Sequence, residues 1–316
     1  MTPFSTIAVC TRGGGLLCLR RANGSWDDAQ VLQGAGAQCV AIKKRRLLVG
    51  TRGRGVLFSA DAGESWDQSD LPAQSVFSVA ISDADGALYA GTEPSRLFVS
   101  RDGRHWSELE ALQEIPSRDH WSFPPRPWTH HVRWIAPDPH RAERLLVGIE
   151  LGGLMYSDDA GATFSDHRPG AKRDVHSLAW HPRLPQRVYQ AAGDGAAWSR
   201  DGGLSWEAVD AGRDLGYCWA VAVDPSDPAS WYVSAASGPR AAHSGADARG
   251  RLYQWSESTW KQLPLPDDTM PYALAAADDE LIAGMADGRI INSGDRGQTW
   301  VDTGVEAGPL MALAAS

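Results

Sequence analysis

Ser199-Arg200-Asp201-Gly202-Gly203-Leu204-Ser205-Trp206 is a tight polar turn that ends in a tryptophan, and the chain writes it repeatedly. Full copies run Ser59–Trp66, Ser157–Phe164 and Ser293–Trp300; Ser100–Trp106 is one residue shorter, and Ser256–Trp260 is worn down. The composition has a physical logic. An Asp carboxylate accepts hydrogen bonds from nearby backbone N–H groups, Gly takes dihedrals that other residues avoid, and Ser or Thr adds a further local bond. The closing ring carries a large apolar surface, which is best buried between one structural unit and the next. A turn repeated at long intervals is architecture rather than an active site.

With Trp26, preceded by Asn23-Gly24-Ser25, the aromatic ends fall at 26, 66, 106, 164, 206, 260 and 300. Seven units follow, two of them with insertions. Each unit reads as a short apolar strand, a turn often holding Asp-Pro, a second strand, a Gly-rich corner, a third strand, the polar turn and a fourth strand; in the fourth unit these are 131–136, 145–149, 153–157 and 164 onward. Short strands at regular spacing, separated by turn chemistry, mean all-β. The ends settle closure. Ile7–Gly13 matches the second strand Leu47–Gly53, so the first unit begins without its first strand, and Pro309–Ser316 reads like the first strands around Phe77 and Tyr272. The expectation is one seven-bladed β-propeller of four-stranded antiparallel blades over residues 1–316, with 309–316 completing blade one and removing its open edge.

The polar turns resemble the Asp-box, or BNR repeat, of sialidases, sortilin-type receptors, some xyloglucan-cleaving glycosidases and the photosystem II assembly factor. Segments such as Pro127–Trp134, Gly148–Gly153, Asp174–His176 and Ser237–His243 are most similar to bacterial BNR-like propellers. The resemblance implies the fold and says little about activity, because this turn serves unrelated functions. An Arg-Ile-Pro signature is absent, so a typical sialidase is not expected.

A formal charge of -9 argues against a nucleic-acid binder, which needs a basic footprint. The longest apolar runs are too short to cross a membrane, and Met1–Arg12 does not read as a signal peptide. Four cysteines without Cys-x-x-Cys spacing indicate neither a zinc knuckle nor a disulfide framework, and a reduced, cytoplasmic setting is expected.

Strand order places the loops between second and third strands, and those between blades, on one face. Both insertions, 108–129 and 237–251, belong there, where a rigid scaffold usually carries function. Aligned first strands share one inward position, held by Gln38, Phe77, Arg133, His176, Trp219, Tyr272 and Met311. Two residues earlier, on the same face by the period of two, stand Ser75, His131, Asp174, Tyr217 and Met270. Ends of the second strands add Arg12, Arg52, Glu93 and Glu150, with Arg54 and Arg96 close by. The insertions contribute His120, Trp121, Phe123, Pro124, Pro125, Pro127 and Trp128 as a wall or lid, and Arg240, His243 and Asp247 on a segment that reads as flexible.

Three chemistries fit these residues. Glu150 or Asp174 beside His176 has the make-up of an acid and base pair. Arg133 with Arg12 or Arg52 would clamp a carboxylate or phosphate. His131, Glu150 and His176, with His130 or Asp174 as further members, are ligand types for a divalent metal, although no local spacing certifies a metal cofactor. The expectation is a pocket for a small, anionic ligand, with a hydrolase or lyase reaction open; the alternative is a scaffold for a protein partner.

Overall fold

The structure, a computed structural model, describes residues 4–123, 129–243, 248–256 and 258–316. They form seven antiparallel sheets arranged as a propeller. Six sheets have four strands, and that of blade four has three. There the expected outer strand from Phe164 onward shrinks to a single bridge between Tyr156 and Ser165. Blade one is assembled from both ends of the chain: Leu310–Ala315 lies innermost against Thr6–Thr11, with Ile7 opposite Ala315 and Val9 opposite Leu313.

The polar turns work as their composition dictates. At Asp201, the Ser199 hydroxyl donates to Oδ1 over 2.8 Å, the Ser205 N–H donates to the same oxygen over 2.9 Å, and the Ser205 hydroxyl donates to Oδ2 over 2.5 Å. The Gly203 N–H reaches back to Ser199 Oγ over 2.8 Å, and Trp206 Nε1 donates to the Gly203 carbonyl over 3.1 Å. Asp61, Asp102, Asp159 and Asp295 anchor equivalent turns. The ends at Trp26 and Trp260 differ. Ala22 pairs with Ser25 and Ser256 with Thr259, so each is a two-residue β-hairpin rather than a decayed Asp turn. In the first, Asn23 and Gly24 both take positive φ, 51° and 85°, which suits an Asn-Gly hairpin loop twisted like its strands.

The seven aromatic ends do share one task. Trp66 packs on the buried cluster between blades one and two, Trp106 between two and three, Phe164 between three and four, and Trp206 between four and five. Trp260, Trp300 and Trp26 continue the series round to the closing junction between blades seven and one. Cys10, Cys18, Cys39 and Cys218 are buried free thiols in these layers. No helix among the described residues is long and apolar enough to cross a membrane.

Candidate functional site

Gln38, Phe77, Arg133, His176, Trp219, Tyr272 and Met311 all line the axial channel, as the aligned first strands predict. The reason was not visible in the alignment. Each sits where the pairing of its strand with the second strand slips: between Val132 and Trp134 in blade four, between Val175 and Ser177 in blade five, and likewise around the ring. A β-bulge carries one residue that the ladder leaves unpaired, and it re-aims that side chain. Seven bulges turn seven side chains toward the axis.

Two residues before the bulges the placement varies from blade to blade. Ser75 and His131 line the upper cavity as expected, whereas Asp174, Tyr217 and Met270 do not. Met270 is buried in the layer beneath Trp219. Asp174 and Tyr217 close over Gly193, where a Cβ would overlap the Asp174 carboxylate.

The upper cavity has a volume of about 900 Å³. Its polar lining includes Arg12, Arg52, Glu93, His131, Arg133, Glu150 and His243, and its apolar lining Phe77, Phe123, Trp219, Tyr272 and Met311. Arg12 and Arg52 are exposed, and among the described residues no carboxylate pairs with either. Glu93 accepts from the Thr129 hydroxyl over 2.9 Å. Arg96 turns away to Glu108, 2.8 Å from Nε to Oε1, and Arg54 is exposed outside the lining.

The insertions differ from their expected character. Residues 237–251 include a short helix, Pro239–His243, which is anchored rather than free: Ala242 and Ala248 are fully buried. His243 stands edge-on to Trp219 at 5.0 Å, with Nδ1 3.2 Å from the Tyr272 hydroxyl. Arg240, on the exposed side of that helix, does not reach the cavity lining. In the first insertion Trp121 is core, its Nε1 donating to Ser117 Oγ over 3.1 Å, and Phe123 covers His131 at 5.0 Å. His120 is exposed. Pro124, Pro125, Pro127, Trp128 and Asp247 lie outside the described residues.

Beneath the rim, Glu150 is the hub. Its Oε2 lies 2.6 Å from His131 Nε2 and 3.4 Å from Arg133 Nε. Its Oε1 faces His176 Nε2 at 3.8 Å, and Asp174 Oδ1 faces the same nitrogen at 3.6 Å. Arg133 and His176 therefore converge, as their shared position predicts, with the guanidinium 4.9 Å above the Trp219 ring and the imidazole 4.5 Å from it. His176 Nδ1 sits 2.7 Å from the Cys218 carbonyl. A carbonyl only accepts, so Nδ1 carries the proton and Nε2 of the neutral ring presents a lone pair, with the Tyr217 hydroxyl a long 3.4 Å away. Nothing in the sequence marks the Cys218 carbonyl as that partner.

The environment separates the two carboxyls. Burial works against a charged Glu150, but the His131 hydrogen bond and the Arg133 charge hold its pKa below the ordinary value. Burial first, then Glu150 and Asp194, push Asp174 up to about 7. Burial lowers His176 to about 4. An ionised and a protonated carboxyl side by side are what acid and base chemistry uses. Glu150, Asp174 and His176 also offer atoms within 4.8 Å of one another, in the manner of metal ligands. His131, expected in that set, is instead engaged with the opposite oxygen of Glu150, and Asp174 takes its place.

A pH dependence follows. A depressed histidine contributes stability that is present above its unfolded pKa and lost as pH falls, here from about 6.5 toward 4. A raised carboxyl acts in the opposite direction: Asp174 costs nothing below 3.8 and destabilises progressively as pH rises toward 7. Asp174→Asn, neutral throughout, is expected to gain on the wild type between pH 4 and 8, by at most about 4 kcal/mol. Urea midpoints of the two proteins at both pH values check it; a constant difference would contradict the assignment.

No protein-family model matches the chain, and no curated protein matches it. Solved structures do. The GH74 xyloglucanase from Xanthomonas campestris is similar over 99% of this chain and 52% of its own, at 17% identity and a TM-score of 0.74. An ancestral GH74 enzyme aligns with 98% of this chain and 40% of its own, at 15% identity and a TM-score of 0.66. The chain thus spans about half or less of the length of these two enzymes. YCF48 bound to D1 peptide is similar over 86% of this chain and 85% of its own, at 15% identity and a TM-score of 0.59. At such identities the likeness establishes the propeller and no more.

Proposed function

We propose that the upper cavity binds a small organic anion. The observation that carries this reading is the pair Arg12 and Arg52, two exposed guanidinium groups that no carboxylate among the described residues pairs with, in a cavity also lined by Trp219 and Tyr272. Unpaired guanidinium groups present forked donors suited to carboxylate or phosphate, and an aromatic floor suits the apolar body of a ligand. Arg133 is partly neutralised by Glu150 and serves the cavity through its place over Trp219. A hydrolase or lyase step would fall to Glu150 and Asp174, the carboxyls held in different protonation states. Glycoside hydrolases among proteins of similar fold are compatible with that extension.

Thermal-shift screening with small carboxylates, sugar acids and phosphate esters tests the reading. The expected result is a stabilising compound whose affinity falls about tenfold in Arg12→Ala and again in Arg52→Ala, about 1.4 kcal/mol each, with little change in Tm of the free proteins. A library that stabilises nothing, or a double variant that binds like wild type, would overturn it. The scaffold alternative predicts that outcome, and YCF48 bound to D1 peptide is a precedent for a propeller of similar fold engaging a peptide.

A further inference from the structure

Three side chains beneath the rim are aimed at one point from separate parts of the chain. Glu150 follows the second strand of blade four, Leu145–Ile149, and Asp174 and His176 come from the start of the inner strand of blade five, Val175–Trp180. In each, one atom is fixed elsewhere and one is left facing the others. Glu150 gives Oε2 to His131 and keeps Oε1. The Asp174 carboxyl rests Oδ2 against Gly193 and keeps Oδ1 toward His176. His176 donates Nδ1–H to the Cys218 carbonyl and keeps the Nε2 lone pair.

That lone pair is the telling feature. His176 is wholly buried, and its Nε2 looks at two carboxyl oxygens, 3.6 and 3.8 Å away, beyond hydrogen-bond reach. Its remaining neighbour is the Tyr217 hydroxyl at a long 3.4 Å. Electron-rich atoms held around a gap in a low-dielectric interior repel one another unless positive charge stands between them. We infer that Glu150, Asp174 and His176 form a three-ligand site for a divalent transition-metal cation.

The dimensions suit it. Metal bonds of about 2.1 Å at tetrahedral angles place ligand atoms about 3.4 Å apart, a contraction of a few tenths of an ångström from the two distances to His176 Nε2, with all three ligand atoms within 4.8 Å of one another. Fixing the distal nitrogen of a ligating histidine on a backbone carbonyl, and a ligating carboxylate on a second side chain, is the outer arrangement that metal sites use. One imidazole and two carboxylates without thiolate suit Zn²⁺ or Mn²⁺ and disfavour copper(I) and iron–sulfur clusters. Three protein ligands leave a position for water or substrate. With Arg133 nearby, a bound dication gives the site a net positive charge, so an anion completes it. This site goes beyond the arginine-rim reading and does not depend on it.

Calorimetric titration of the chelator-treated full chain with Zn²⁺ at pH 7.5, with Mn²⁺ followed in parallel by electron spin resonance, tests the site. The expected result is one ion per chain and a rise in Tm with Zn²⁺. In Asp174→Asn, which keeps the side-chain shape, affinity should fall by more than about a hundredfold, beyond what loss of an outer partner costs. Arg12→Ala separates the two proposals, because it should retain wild-type Zn²⁺ binding while losing the response to organic anions. If wild type and folded Asp174→Asn give the same Zn²⁺ isotherm, or if neither binds one ion per chain, the metal site is refuted.

Discussion

Removing Pro309–Ser316 is expected to abolish the folded monomer. Leu310–Ala315 is the innermost strand of blade one, and its loss leaves Thr6–Thr11 with a free edge at the centre of the ring. It also withdraws Leu310 and Leu313 from the layer between blades seven and one, and Met311, Ala312 and Ala314 from that between one and two. Fully burying Leu310 alone is worth about 1.5–3 kcal/mol, and the backbone ladder and both adjoining interfaces go with it. That sum approaches the whole stability of an ordinary domain, about 5–15 kcal/mol. Expression followed by gel filtration should give aggregate or insoluble chain, because unpaired edges template association. A truncated monomer melting like wild type would show that closure contributes little.

Glu150→Ala is the point substitution expected to cost most, about 3–5 kcal/mol, the usual penalty for stranding buried charge and polar partners. It removes the acceptor of His131 Nε2 and the counter-charge of Arg133, whose nearest carboxylate oxygen is Glu150 Oε2. His131 has no spare capacity, since its Nδ1 is already buried without a partner among the described residues. Glu150→Gln should recover part of the loss, because one amide oxygen still accepts from His131 while the charge is gone. Urea denaturation of the three proteins checks the order wild type, Gln, Ala. Equal stability of Ala and wild type would mean that His131 and Arg133 repack with water at no cost.

His176 shows where a simple alternative between ligand and core fails. Its ring is sealed between Trp219 and the Cys218 carbonyl, so His176→Ala disturbs the fold whatever Nε2 does. Arg133 is less enclosed, with part of its side chain exposed. Thermal stability alone therefore does not report function equally at the two positions.

The fold was legible because each repeat writes its own turn. The bonds around Asp201 lie within Ser199–Ser205, and local chemistry of that kind is carried by sequence. Closure was legible too, since a missing first strand at one end and a spare one at the other leave a single way to pair both edges. The hairpins at Asn23-Gly24 and before Trp260 were misread because aromatic spacing records what lies between blades, and a two-residue turn delivers the ring there as well. The inward ring was found by aligning the strands, but the bulges that make it were not, because a bulge is a mismatch between two strands and neither strand states it alone. Asp174 and Tyr217, two residues before their bulges, close over Gly193 instead of lining the upper cavity, a contact between strands that neither strand states.

Sequence by itself determined the seven units, their polar turns, the closing strand and the residue types gathered at one end of the channel. Tertiary structure alone decided which of those residues meet. Whether Glu150 gives one oxygen to His131 and turns the other toward His176, and whether His176 exposes a lone pair or a proton, depends on atoms 19 to 42 residues apart in the chain. Electrostatic and hydrogen-bond energies change over fractions of an ångström, and such distances are set only when the blades close against one another.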